Sequence, residues 1–463
     1  MVHQQSFATL ASRYRDGTLS PVEVAASALD HAQRVDAALN VFSVLDRPRA
    51  LAGAQASQAR WRAGAPLGPL DGMPVTVKDF AAVGGWPTRR GSALTSDKPA
   101  HATTPFVQRL LDAGMVLLGK TRAPEYNWKG VTDSPTFGVT RNPWDPTLTP
   151  GGSSGGCAAA VAAGVVRVSI GSDAGGSVRI PAAFSGVIGL KPSFGRIPVS
   201  PMPSAFNHIV HTGPIAASMR DLAEVMRVSA GPCAGDWTSF TGTLTDEVAA
   251  LSEDPTRLRI GVLSPRRWTK SCAAVRRGMH DTLQRFAQAG LHVREVDVDI
   301  ASASANAALF YRVGCAAVVR GVPEAARHRL DPGLLDFVAP VYALSLADYL
   351  DACGARDQHA NRLAACFEHV DVLMLPTLPI LPFTAGRLVP EGWPQADWMS
   401  WNPYTPAFNT AQMPALSWPV WPTGARLAVG IQCVAPRGCD HRLLALGAWL
   451  EAWQPVRLAT VGV

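Results

Sequence analysis

Two glycine-flanked serine sites stand close together in this chain, GGSSGG at residues 151–156 and GSDAGGSVR at residues 171–179, separated by an alanine-rich run. Glycines beside a serine open backbone conformations closed to other residues and leave room for close approach to the hydroxyl. The chemistry this suits is nucleophilic attack on a carbonyl carbon, with the serine carrying the acyl group. Ser153 and Ser177 compete for that role, and either one needs a base.

Ser153 sits in a G-x-S-x-G pattern, the strand-turn-helix elbow of α/β-hydrolases. The residues before it, RNPWDPTLTP, hold three prolines and cannot form the central strand such an elbow requires. A histidine partner is not marked out either. His208, His211, His280, His292, His328, His359, His369 and His441 lie in no distinctive motif and read as surface or hydrogen-bonded histidines. No Gly-Lys-Ser/Thr follows the glycines at 151–156, so they do not form a phosphate-binding loop.

Ser177 has the better setting. The apolar run from Val165 to Ile170 reads as a strand, and the turn after it offers the N–H groups of Ala174, Gly175 and Gly176 as a nest for a developing oxyanion. An ordinary glycine-rich turn has the same composition. Lys78 breaks the tie: it ends the apolar run of GMPVTVKDF, so a buried strand would carry it into the interior. Desolvation there lowers a lysine's pKa toward neutrality and makes it a base. A salt bridge to Asp79 is the alternative use of that lysine.

The elements that must hold these groups follow from the texture of the chain. The first sixty residues read as helices, with Ser20-Pro21-Val22-Glu23 as a capping box and proline at the first helical position. From Pro69, short apolar runs broken by Gly and Pro alternate with helical stretches, which predicts an α/β fold with buried strands. LRIGVL at 258–263, HVREVDV at 292–298 and VDVLMLP at 370–376 read as further strands, with a helix over 273–289. LAVGIQCVA and a closing helix near 441–453 return to the core. One domain over 1–463 is expected: a helical lead-in at 1–64, a core at 65–230, a variable middle at 235–387 and the return at 400–463.

Taken together, Lys78, the GGSSGG block at Ser153 and the GGSVR block at Ser177 resemble the amidase signature family, and the intervals between them match its register. LLGKTRAPE, FGVTRNPWD, GVIGLKPSFGR, HTGPIAASMRDL, PAFNTAQMPALSWP and LAVGIQCV agree in order. The resemblance implies a mixed central β-sheet sandwiched by helices and a Ser-cisSer-Lys triad. In it Ser177 attacks the amide carbonyl, Ser153 after a cis peptide bond relays the proton, and neutral Lys78 is the base. The backbone N–H groups of Ala174, Gly175, Gly176 and Ser177 would form the oxyanion hole, supported by Ser154, Ser172, Asp173 and Arg179. Asn127 and Trp128 match a region that lines the acyl pocket in relatives, with core packing the other reading of Trp128. Late tryptophans, Trp393, Trp398, Trp401, Trp418 and Trp421 among them, suggest an apolar funnel.

Composition narrows the partners. A formal charge of +6 over 463 residues, with no basic run longer than a pair, gives no support to nucleic-acid binding. Eight cysteines without metal-ligand spacing read as buried free thiols in a reducing compartment, and no signal-type or membrane-spanning segment is apparent. A cytoplasmic hydrolase of a small-molecule amide is expected, with no cofactor, no metal, no nucleic acid and no membrane, and with a homodimer left open. The competitor is the glutaminase (A) subunit of a tRNA-dependent amidotransferase. The stretch IPVSPMPSAFNHIVHTGP departs from that subunit's usual continuation and favours a stand-alone amidase. A non-catalytic scaffold is the third class, and the intact triad speaks against it.

Overall fold

The computed structural model describes residues 1–201, 206, 208–242 and 245–461. Its strands, in chain order, are β1 (Phe42–Leu45), β2 (Pro74–Lys78), β3 (Val116–Thr121), β4 (Asp133–Ser134), β5 (Gly138–Val139), β6 (Val168–Asp173), β7 (Ile188–Lys191), β8 (His211–Ala216), β9 (Arg259–Leu263), β10 (His292–Val296), β11 (Val372–Pro376), β12 (Ala415–Val420) and β13 (Val429–Val434). Eleven of these form one sheet in the order β1-β3-β2-β6-β8-β7-β12-β13-β11-β9-β10, and β4 pairs with β5 alone. β3, β2 and β6 run parallel, as do β11, β9 and β10, while the strands between are antiparallel. The sheet is therefore mixed, as expected.

The strand pattern explains the order. β2, β3, β6 and β11 are buried at every position, as a sheet covered on both faces requires; β11 is apolar throughout, while β2, β3 and β6 carry polar residues at or toward their carboxyl ends. The late strands β12 and β13 insert between β7 and β11, so the chain's last third closes the middle of the sheet. Two expectations need correction. The lead-in is not wholly helical, since β1 lies between helices Pro21–Leu39 and Arg47–Arg62 and pairs with β3. The strand expected at 165–170 begins at Val168 and runs on to Asp173, because its polar end stays on the ladder opposite Thr212 and His211. The capping box is present: Glu23 N–H donates to Ser20 Oγ at 3.2 Å, and Ser20 N–H donates to Glu23 Oε2 at 2.8 Å.

Parallel strands β2 and β6 bring their carboxyl ends to the same side of the sheet, where ligands gather in sheets of this kind. Lys78 is the last residue of β2, and the turn holding Ser177 follows β6. Helix Gly155–Ala162, buried throughout, begins directly after Ser153 and Ser154. Its small residues let it press onto the sheet. A methyl group on Gly156 would lie 2.7 Å from the backbone oxygen of Arg122 and 2.9 Å from that of Val41, neither of which can swing aside.

No single helix among the described residues is long and apolar enough to cross a membrane. Of the cysteines, Cys157, Cys315 and Cys433 are buried and the other five are partly exposed, so burial holds only for those three. Trp398, Trp401 and Trp418 are fully buried in the packing of the core rather than lining a funnel. Gly156→Ala should lower stability by about 1–3 kcal/mol, as overpacking of a tight interior does. Denaturant unfolding checks it, and an unchanged midpoint would show that the helix can retreat from β3.

Candidate active site

Lys78 is completely buried at the end of β2. Its Nζ donates to Ser172 Oγ at 3.0 Å and lies 2.7 Å from Ser153 Oγ. The salt-bridge alternative fails, because Asp79 is taken by Lys120 at 2.6 Å. Desolvation lowers the Lys78 pKa to about 7, the nearby Cys157 and Asp173 only partly opposing it. A buried amine without a counter-ion gives up its proton rather than bear the cost of a buried charge. As a free base it can donate to Ser172 and accept from the Ser153 hydroxyl.

The Gly152–Ser153 peptide bond is cis, and no strand precedes it, as the prolines imply. Ser154 ties this loop to the second serine site. Its N–H donates to the Ser177 carbonyl at 3.1 Å and its Oγ donates to the Ser172 carbonyl at 3.2 Å. Ser153, Ser172, Ala174 and Ser177 all open onto one cavity of about 430 Å3.

Beneath the turn after β6 lies a fully buried ion pair. Asp173 Oδ1 and Oδ2 each accept from Arg179 at 2.9 Å. Arg179 also donates to the Thr405 carbonyl, to Gln432 Oε1 and to Asn409 Oδ1, and so has acceptors on every side. Burial alone would raise the Asp173 pKa, but the charge and hydrogen bonds of Arg179 hold it well below the usual carboxylate range.

Asp173 also sets the backbone of the turn, accepting from Gly176 N–H at 2.7 Å and Val178 N–H at 3.2 Å. The expectation for Gly176 is thereby corrected: its N–H is bonded to Asp173 and is not free to receive an oxyanion. The carbonyl of the same peptide, Gly175 C=O, accepts from Asn402 Nδ2 and Thr405 Oγ1, both at 2.8 Å. With that peptide fixed at both ends, Ala174, Gly175 and Ser177 are left with N–H groups that have no protein acceptor among the described residues. Gly176 takes φ +124°, and a side chain there would collide with Thr405, so glycine is required.

Asn127 lines the cavity and Trp128 does not. Trp128 is packed against Phe337, and its indole N–H donates to Asp331 at 3.1 Å, so the core-packing reading describes it. Tyr311 is a cavity residue that the sequence did not announce. It comes from helix Ile300–Arg320, within the featureless middle, and its hydroxyl donates to the Asn127 carbonyl at 2.7 Å. Asn409 and Gln432 lie within the late motifs, and Asn402 and Thr405 just before the first of them, with no sign in the sequence that they reach the turn. His211, opposite Asp173 on β8, departs from the expectation of a surface or fully bonded ring: it is buried, Nδ1 is 2.8 Å from the Ile209 carbonyl, and Nε2 has no partner among the described residues. Burial holds its pKa well below the ordinary value.

Such an arrangement can pass a proton between Ser153 and the Lys78 amine beside a cavity that Ser177 also lines, and it leaves backbone N–H groups free at the turn. Comparisons with known proteins place the chain among amide-processing proteins. The family model described as Amidase matches residues 23–444. Among curated proteins the chain is 35% identical to the A subunit of glutamyl-tRNA(Gln) amidotransferase from Acidothermus cellulolyticus, over 96% of this chain and 93% of that one. Among solved structures it superposes on a bacterial aryl acylamidase of the amidase signature family with a TM-score of 0.89 at 29% identity, covering 98% of this chain and 97% of that one. A protein from a vestigial complex, described as revealing the origins of an s-triazine catabolic enzyme, matches with the same score and identity over 98% of this chain and all of its own. On the family match over nearly the whole length and on the shared fold, this chain belongs to the amidase signature family.

Proposed function

We propose that this protein hydrolyses a carboxylic amide to an acid and an amine or ammonia through an acyl-enzyme on Ser177. One observation carries the reading: an amine with no counter-ion, Lys78, within hydrogen-bond distance of Ser153 and with its pKa near neutrality. Ser177 Oγ attacks the amide carbon as its proton passes to Ser153, whose own proton passes to the Lys78 lone pair. The carbonyl oxygen becomes an oxyanion, and the N–H groups of Ala174, Gly175 and Ser177 are placed to bind it. The proton returns from Lys78 through Ser153 to the leaving nitrogen, the C–N bond breaks, and the amine departs. Water then attacks the ester, giving up its proton along the same path, and the acid leaves with the Ser177 hydroxyl restored.

A second reading is favoured by the curated relatives, which are named as the A subunit of glutamyl-tRNA(Gln) amidotransferase and are 33% to 36% identical to this chain. By that relationship the chain releases ammonia from glutamine inside a multi-subunit assembly, and its partners are other protein subunits. These relatives outweigh the departure at residues 197–214, part of which, 202–205 and 207, lies outside the described residues. Both readings share the Ser177 chemistry.

A fluorophosphonate probe should label the wild-type protein and not Ser177→Ala, and the variant should lose amide hydrolysis across aliphatic, aryl and carbamoyl amides. Persistent labelling of the variant would remove Ser177 as nucleophile. Because Lys78 acts as the free base, kcat/KM should rise from acid pH through about 7 and then level off. In Lys78→Ala that acid limb should disappear, with turnover lower by orders of magnitude. A wild-type profile flat down to pH 5 would contradict the assignment. Assayed alone and with the companion subunits of an amidotransferase, glutaminase activity that appears only in the assembly would select the second reading; amide turnover by the isolated chain would select the first.

A further inference from the structure

Among the described residues, the cavity that holds Ser177 has one charged side chain on its wall, Arg90. Arg90 is exposed to the cavity mouth, and among the described residues its guanidinium has no hydrogen-bond acceptor and no carboxylate within ion-pair distance. The other polar side chains on that wall, among them Thr88, Thr95, Ser96, Tyr126 and Asn127, carry no charge. No aspartate or glutamate lines the cavity among the described residues.

The backbone at this arginine is held in an unusual state. Arg90 takes φ +48°, and across the cavity wall Tyr126 and Asn127 take φ +46° and +62°. Three of the five non-glycine residues with positive φ therefore lie on this one wall, where strain marks a site more often than a plain surface. The two strained segments are bonded to each other. Tyr126 N–H donates to the Arg90 carbonyl at 2.7 Å, and Ser92 Oγ donates to Glu125 Oε1 at 2.6 Å. Glu125 accepts in turn from Asp331 N–H at 2.6 Å, so the loop is fastened to the protein rather than free.

We propose that Arg90 selects amides that carry a carboxylate, binding that group at the cavity mouth while the amide carbon reaches Ser177. A guanidinium offers paired N–H donors that match a carboxylate's two oxygens. An ammonium group finds no counter-charge on the wall, so an anionic amide is preferred to a zwitterion of the same length. This inference rests on the Ser177 reading and names the substrate class of that site.

Binding and turnover separate the two ideas. In a Ser177→Ala background, calorimetry with succinamate, glutaramate and adipamate should show at least one of them binding more tightly than a neutral alkyl amide of matched length. Arg90→Met in that background should weaken the carboxylate-bearing amide by on the order of ten- to a hundredfold, the worth of a charge-assisted pair. Arg90→Lys should keep part of the preference, which guards against a simple folding defect. Glutaramate should bind better than glutamine. Equal binding of anionic and neutral amides, equal weakening of both by Arg90→Met, or a preference for glutamine would overturn the inference. In the active enzyme, the ratio of kcat/KM for the anionic over the neutral amide should fall toward one in Arg90→Met. Arg90-dependent binding to the wild-type protein without any hydrolysis would sink the Ser177 reading and leave only the carboxylate contact of Arg90, whereas hydrolysis without an Arg90-dependent preference would sink this inference alone.

Discussion

Burial of the Lys78 amine without a counter-ion is the constraint on which the site depends. A charged ammonium at that depth would carry a desolvation cost of several kcal/mol unless paired. The pairing is withheld, because the adjacent carboxylate of Asp79 is given to Lys120. What remains for Lys78 is hydroxyls, Ser153 and Ser172, which can bond to either protonation state. The free base is thus a consequence of where β2 ends and of how the neighbouring charges are matched.

A second buried ionisable group is treated in the opposite way. Asp173 lies on the strand next to Lys78, equally removed from water, yet it is surrounded by Arg179, Asn409 and two backbone N–H groups and stays ionised. Environment pushes the two groups apart: burial brings the amine's pKa down to about 7, while the carboxylate keeps its charge and holds a turn. That fixed charge is what takes Gly176 N–H out of use and leaves its neighbours' N–H groups without acceptors. Electrostatic preorganisation of this kind lowers a barrier because the donors need not reorient when the oxyanion forms.

Sequence made the reactive groups legible and their supports much less so. Lys78, Ser153 and Ser177 stand in patterns of Gly and apolar residues whose local meaning survives without tertiary structure. β2 could be read from PVTVK because its valines and β-branched threonine form a short strand-like run after Gly72-Met73. β6 was read too short, since hydropathy fades at Gly171-Ser172-Asp173 just where partners on β8 satisfy the polar groups. The assignment of an N–H to the oxyanion failed at Gly176 for a related reason. Composition shows that a turn has free donors, but only the fold shows which of them a carboxylate has claimed. Tyr311 and Arg90 carried no local signal at all, because an aromatic in an apolar helix and an arginine in a loop are ordinary residues until a cavity forms around them.

Most of the turn's support comes from the far end of the chain. Asn402 and Thr405 hold the Gly175 carbonyl, and Asn409 and Gln432 complete the shell around Arg179, each more than 220 residues away in sequence. These residues reach the site because β12 and β13 enter the middle of the sheet beside β7 instead of extending an edge. Contacts of such separation close long loops, at a cost in chain entropy. Until they form, Arg179 lacks three of its acceptors and the Gly175–Gly176 peptide is free to turn. The glycine-serine motif at residues 171–179 therefore does not specify the conformation of its turn by itself. Its geometry is completed by the closing strands, which explains how a turn of small, flexible residues is held in one arrangement.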